Sequence, residues 1–84
     1  MDKEQFDDHV DVELMAVARE LKGANAAHPP MNSLHESYAV ILEEVDELWE
    51  HVRKKTSERN PLLIRKELIQ IAAMAVRTII DGGF

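Results

Sequence analysis

Ser33 to Lys55 reads SLHESYAVILEEVDELWEHVRKK, and this stretch decides the fold. Leu34, Tyr38, Ile41, Val45, Leu48 and Val52 recur at spacings of 4, 3, 4, 3 and 4. That is the period of an amphipathic helix with a seam for a neighbouring helix. Ser33-x-x-Glu36 predicts a capping box, in which serine and glutamate satisfy each other's orphan amides. A helix over 33–55 follows. Working downstream, Asn60 offers an N-cap and Pro61 a first helical position, so a third helix is predicted over 61–81, stopped by Gly82. Upstream, Phe6, Val10, Leu14, Val17 and Leu21 share one face of a helix over 3–22, with Gly23-Ala24-Asn25 as its C-cap. Ala26 to Met31, containing His28-Pro29-Pro30, is the expected linker. Nothing alternates with a strand period. Residues 1–84 therefore read as one all-α domain, an antiparallel helical bundle of three main helices.

Composition narrows what such a domain does. Ten Lys and Arg against sixteen Asp and Glu leave a net charge of −6, which disfavours nucleic-acid polymers and anionic membranes as partners. No apolar run approaches the roughly 18 residues of a membrane span. The opening MDKEQFDD lacks the basic and apolar regions of a secretory leader. With no cysteine there is no disulfide, thiolate site or thiol nucleophile, and a cytoplasmic setting is expected. A chain this short buries only about 60–65 % of its unfolded surface and needs further support. From Leu68 to Ile80 the third helix is apolar nearly all round, more than two companions can cover. Completion by homo-oligomerisation, as a homodimer or homotetramer, is the expectation.

The second helix carries six acids, Glu36, Glu43, Glu44, Asp46, Glu47 and Glu50. At about 100° per residue, Glu43 and Glu47 lie about 40° apart and Glu44 and Glu47 about 60° apart. Such neighbours repel one another by a few tenths of a kcal/mol each. Two readings stay open: a solvated acidic face, or a site for a hard divalent cation that neutralises the repulsion. Glu67 bears on the choice, because it shares an apolar stripe with Leu63, Ile71 and Met74. A carboxylate there costs several kcal/mol unless paired or ligating. Either Glu67 sits at the stripe's rim beside a Lys or Arg, or Glu44, Glu47 and Glu67 converge on a shared ion.

The segments from His35 to Leu48 and from Glu67 to Ala75 resemble the MazG-like, all-α nucleoside triphosphate pyrophosphohydrolases. That family's signature is ExxE, a spacer, then ExxD. Glu44-x-x-Glu47 matches the first half and Glu67-x-x-Gln70 the second, with nineteen residues between Glu47 and Glu67. The likeness covers about Ser33 to Asp81. It departs at the last position, where Gln70 offers an amide oxygen without charge. The resemblance implies Mg²⁺, or Mn²⁺, held by Glu44, Glu47, Glu67 and Gln70. It also implies cleavage of a (deoxy)nucleoside triphosphate between the α and β phosphates, giving the monophosphate and pyrophosphate. Glu43 or Glu44 would serve as general base on the attacking water.

His35, Lys54 and Arg77 are further candidates for substrate contact. His35 near the helix start and Lys54 at the helix end are equally readable as a solvated residue and a dipole partner. Arg77, a cation on a mostly apolar helix, requires an anion: an acid of a neighbouring subunit or a substrate phosphate. Trp49 flanks the seam, placed for core packing or for stacking on a base, and His9 and His51 read as solvated. Two functions from different classes result. One is the Mg²⁺-dependent pyrophosphohydrolase. The other is a catalytically impaired helical homo-oligomer that binds nucleotide or metal, or serves as an interaction protein.

Overall fold

A computed structural model describes residues 1–84 as helices α1 (Lys3–Ala27), α2 (Leu34–Val52) and α3 (Pro61–Gly82), with a single 3₁₀ turn at Thr56–Glu58 and no strand. The chain is all-α. Each boundary has a local cause. At α1, the Asp2 carboxylate accepts from Gln5 N at 2.8 Å and the Gln5 side chain accepts from Asp2 N at 2.9 Å, a complete capping box. The predicted stop at Gly23 is overrun. Gly23 has no left-handed backbone, and the helix continues to Ala27, where His28 turns extended (φ −135°, ψ 148°). The cause is Pro29, whose ring excludes helical geometry from the residue before it.

Ser33 Oγ accepts from Glu36 N at 3.1 Å and starts α2 as expected. The Glu36 carboxylate, however, accepts from Asn32 N (3.3 Å) and not from Ser33 N, so the reciprocal half of the box is displaced by one residue. α2 ends at Val52, short of the predicted Lys55, because the Arg59 guanidinium donates to Val52 O at 2.6 Å and closes the helix from outside. In α3, Asn60 Oδ1 accepts from Leu62 N and Leu63 N at 3.0 and 3.4 Å, with Pro61 in the first turn. Gly83 terminates it in the left-handed region (φ 71°), a conformation glycine adopts without a Cβ penalty.

α3 is the central rod. α1 and α2 both pack on it and not on each other. Met31, just before α2, donates its N–H to Asp81 near the end of α3 (2.9 Å), so α2 and α3 run antiparallel. α1 pairs Glu13 with Arg65 near the start of α3, and its Leu21–Asn25 turn borders Arg77, Ile80 and Asp81. α1 and α3 therefore run parallel. The three helices form an open fan, not a closed antiparallel bundle. The linker is bolted to the fan by Arg77, whose Nε donates to Asp81 Oδ2 (3.2 Å) and whose Nη2 donates to the His28 and Pro29 carbonyls (3.2 and 2.8 Å).

Little is enclosed. Ala73 is the one buried apolar residue; Ser37, Glu67 and Arg77 are the buried polar ones. The Cα radius of gyration is 14.5 Å, against about 12 Å for a compact chain of this length. Phe6, Val10 and Leu14 on α1 and Tyr38, Val45 and Trp49 on α2 are exposed, so the predicted seams are only partly used, and Trp49 is not a core residue. No helix is long and apolar enough to cross a membrane.

Candidate metal centre

Antiparallel packing sets the middle of α2 beside the first half of α3. On α2, the side toward α3 carries Ser37, Ile41, Glu44 and Leu48; on α3, the side toward α2 carries Glu67, Ile71 and Met74. The carboxylates of Glu44, Glu47 and Glu67 meet in this seam, with one oxygen of each within 4.8 Å of the others. The acids do not all turn away from the packed side, as a solvated face would require. Glu67 is 8 % exposed, and no Lys or Arg forms an ion pair with any of the three. One oxygen of Glu67 and one of Glu44 are shielded from solvent without a hydrogen-bond partner.

The electrostatic consequence is large. Burial, reinforced by the Glu67 and Glu47 carboxylates, pushes the Glu44 pKa from the ordinary 4.5 up to about 7. Glu47 is raised as well, first by the adjoining Glu67 carboxylate, then by desolvation and by repulsion from Glu67 and Glu43. Like charges this close oppose one another's ionisation, so Glu44 keeps its proton to near neutral pH. Among side chains, a cation is what relieves such a group, and none is supplied. The donor set fits a hard divalent ion, which takes oxygen ligands and favours carboxylates.

Glu44 also faces a cleft of about 400 Å³, whose walls are Ala24 of α1, the linker residues His28, Pro29 and Met31, Glu36 and Val40 of α2, and Gln70, Met74 and Arg77 of α3. Gln70 thus sits half-buried beside Glu44, one turn along α3 from Glu67. Glu43 is exposed and outside the cluster, reaching it only as a charge that acts on Glu47. His35 and Lys54 are exposed and border neither the cluster nor the cleft.

Arg77 borders the cleft, but its requirement for an anion is met inside its own helix by Asp81. Neither a second subunit nor a phosphate is needed to explain it. Asp81 in turn lies below the usual carboxylate range, chiefly through the Met31 N–H and then through Arg77. The Arg77-x-x-x-Asp81 spacing, one helical turn, was the sequence signal for this pair. His51, read as solvated, is half-buried with Nδ1 shielded and unpartnered, yet it lies outside the carboxylate cluster. No family model matches the chain, and comparison with curated proteins and with solved structures gives no significant match.

Proposed function

We propose that this protein is a Mg²⁺-dependent nucleoside triphosphate pyrophosphohydrolase that acts as a homodimer or homotetramer. One observation carries the reading: the buried Glu67 oxygen, without a partner, stands among the carboxylates of Glu44 and Glu47 at the edge of an open cleft. A structural acid buried this deeply is ordinarily paired with a cation or hydrogen-bonded throughout. The resemblance of Glu44-x-x-Glu47 and Glu67-x-x-Gln70 to the MazG-like signature supplies the reaction class.

Glu44, Glu47 and Glu67 would hold the ion, with the Gln70 amide oxygen beside them. When bound, Mg²⁺ supplies charge neutralisation for the phosphates and a lowered pKa for water. The chain's own residues do the rest. Glu44, the cluster carboxylate that faces the cleft, would accept the proton of the attacking water, and Glu43 is the second carboxylate within the same turn. Water adds at the α-phosphorus, the α–β anhydride bond breaks, and pyrophosphate leaves with the bonding electrons. The cleft beside Glu44 is large enough to admit part of a nucleotide.

The neutral Gln70 favours the second reading, a helical homo-oligomer that binds nucleotide or metal without turnover. Pyrophosphate release from a panel of (deoxy)nucleoside triphosphates with Mg²⁺ separates the two. Activity that falls at least about 100-fold in Glu47→Gln and Glu67→Gln is expected for the enzyme. No release from any nucleotide, by folded and assembled protein, sinks it.

A further inference from the structure

Because α2 and α3 run antiparallel, the first turn of α2 meets the last turns of α3, and a second, smaller pocket of about 220 Å³ opens between them. Its walls include Asn32, Leu34 and Ser37 on the α2 side and Thr78, Asp81 and Phe84 on the α3 side. None of the three cluster carboxylates borders it. Ser37 precedes Glu44 by two helical turns, about 10.5 Å along α2.

Three polar groups around this pocket lack a partner. A buried hydroxyl inside a helix can donate to the carbonyl one turn back, and Thr78 does so, to Met74 O at 2.8 Å. Ser37 does not. It is 4 % exposed, yet only its backbone N–H bonds Ser33 O, and its hydroxyl is left facing the pocket it lines. The Leu34 N–H in the first turn of α2 is also free, since the Ser33 cap takes Glu36 N. Asp81 accepts from Met31 N and Arg77 Nε through Oδ2 alone, so Oδ1 has no donor.

The polarity of these groups selects the occupant. The start of α2 carries partial positive charge and the end of α3 partial negative charge. Asp81, kept ionised by the Met31 N–H and Arg77, adds a full negative unit at the α3 end. A simple anion would face Asp81, and a simple amine would face the start of α2. A hard cation would find one carboxylate where it needs several oxygens. A molecule with both charges satisfies both ends. The volume is below the roughly 300–1,000 Å³ of pockets that take drug-sized ligands, so the occupant is smaller than a nucleotide. Leu34 and Phe84 give it an apolar wall.

We propose that this pocket binds a small apolar α-amino acid as its zwitterion. The carboxylate accepts from the Leu34 N–H and the Ser37 hydroxyl, the ammonium donates to Asp81 Oδ1, and the side chain lies against Leu34 and Phe84. The site is separate from the carboxylate cluster and does not depend on what that cluster binds or hydrolyses.

Heteronuclear NMR of the isotope-labelled protein tests this with three probes of one shape: valine, isovalerate (valine without its ammonium) and isobutylamine (valine without its carboxylate). Valine should move the Leu34, Ser37 and Asp81 amide signals in a saturable way, and neither isostere should. Ser37→Ala, folded as the wild type by circular dichroism, should bind valine at least about 10-fold more weakly, the loss of one hydrogen bond to a charged group. No shift with valine, or shifts confined to the Val40 and Gln70 cleft, overturns the proposal. So does isovalerate or isobutylamine binding as well as valine, because one charge then suffices. Should Ser37→Ala not fold, the three probes on the wild type still decide.

Discussion

Glu67 and Arg77 are both charged, both buried (8 % and 3 % exposed) and ten residues apart on one helix, yet their surroundings are opposite. Arg77 has an answer for its charge and its donors: Asp81 and two linker carbonyls. Glu67 has only other carboxylates, and an oxygen with no partner. A satisfied buried charge is a fastener. An unsatisfied one, set among like charges beside a cleft, is what the proposed cation site rests on.

The comparison breaks most visibly at the fastener. Arg77→Met leaves the His28 and Pro29 carbonyls without a donor, at about 1 kcal/mol or more each, and leaves Asp81 with only the Met31 N–H. Melting followed by circular dichroism should fall by roughly 10–20 °C. A drop of only a couple of degrees would show that the clamp holds nothing. At the carboxylate cluster the sign reverses: Glu67→Gln should leave the metal-free melting temperature unchanged or raised, because it removes a repelling charge.

Mg²⁺ or Mn²⁺ gives an effect of comparable size and opposite sign. At a hundredfold excess over its Kd, an ion that binds only the folded chain contributes about 2.7 kcal/mol, a rise of roughly 10–20 °C. Calorimetry should show the rise in the wild type and not in Glu67→Gln; equal curves with and without metal would dismiss the site. A smaller effect follows pH in metal-free protein. Glu44 titrates near 7 when folded and at the ordinary 4.5 when unfolded. Its contribution to stability is therefore complete below about 4.5 and lost as pH rises through 7. The melting temperature should decline by a few degrees over that window, and millimolar Mg²⁺ should abolish the decline. A flat profile contradicts the raised Glu44 pKa.

The smallest effect is the mirror image at the fastener. Asp81 is held below its ordinary range, so its contribution is present above that range and disappears as pH falls through its lowered value. Denaturation below pH 4 should be shallower in Asp81→Asn than in the wild type, measured from the same neutral baseline. Identical acid limbs would detach Asp81 from the clamp.

Much of this was readable along the chain, since caps and period are local. Asn60-Pro61 and Ser33 mark two helix starts through hydrogen bonds spanning two or three residues. The stripe of Leu63, Glu67, Ile71 and Met74 already put one carboxylate where it needed company. The Asp2–Gln5 box was equally local and went unread. Other features had no local signal. Whether α1 stops at Gly23 depends on which of two breakers prevails, and Pro29 prevails because a proline forbids what a glycine merely weakens. The early end of α2 depends on Arg59 reaching back seven residues to Val52.

Helix number, the acidic pattern on α2 and the excess of apolar surface follow from the residues alone, because period and composition are properties of the chain itself. The direction of α1 along α3, the identity of Arg77's partners and the meeting of Glu44 and Glu47 with Glu67 were decided only in three dimensions. Each joins groups on separate turns or separate helices, and a distance of a few ångströms between them is fixed by how the rods pack and not by their order in sequence.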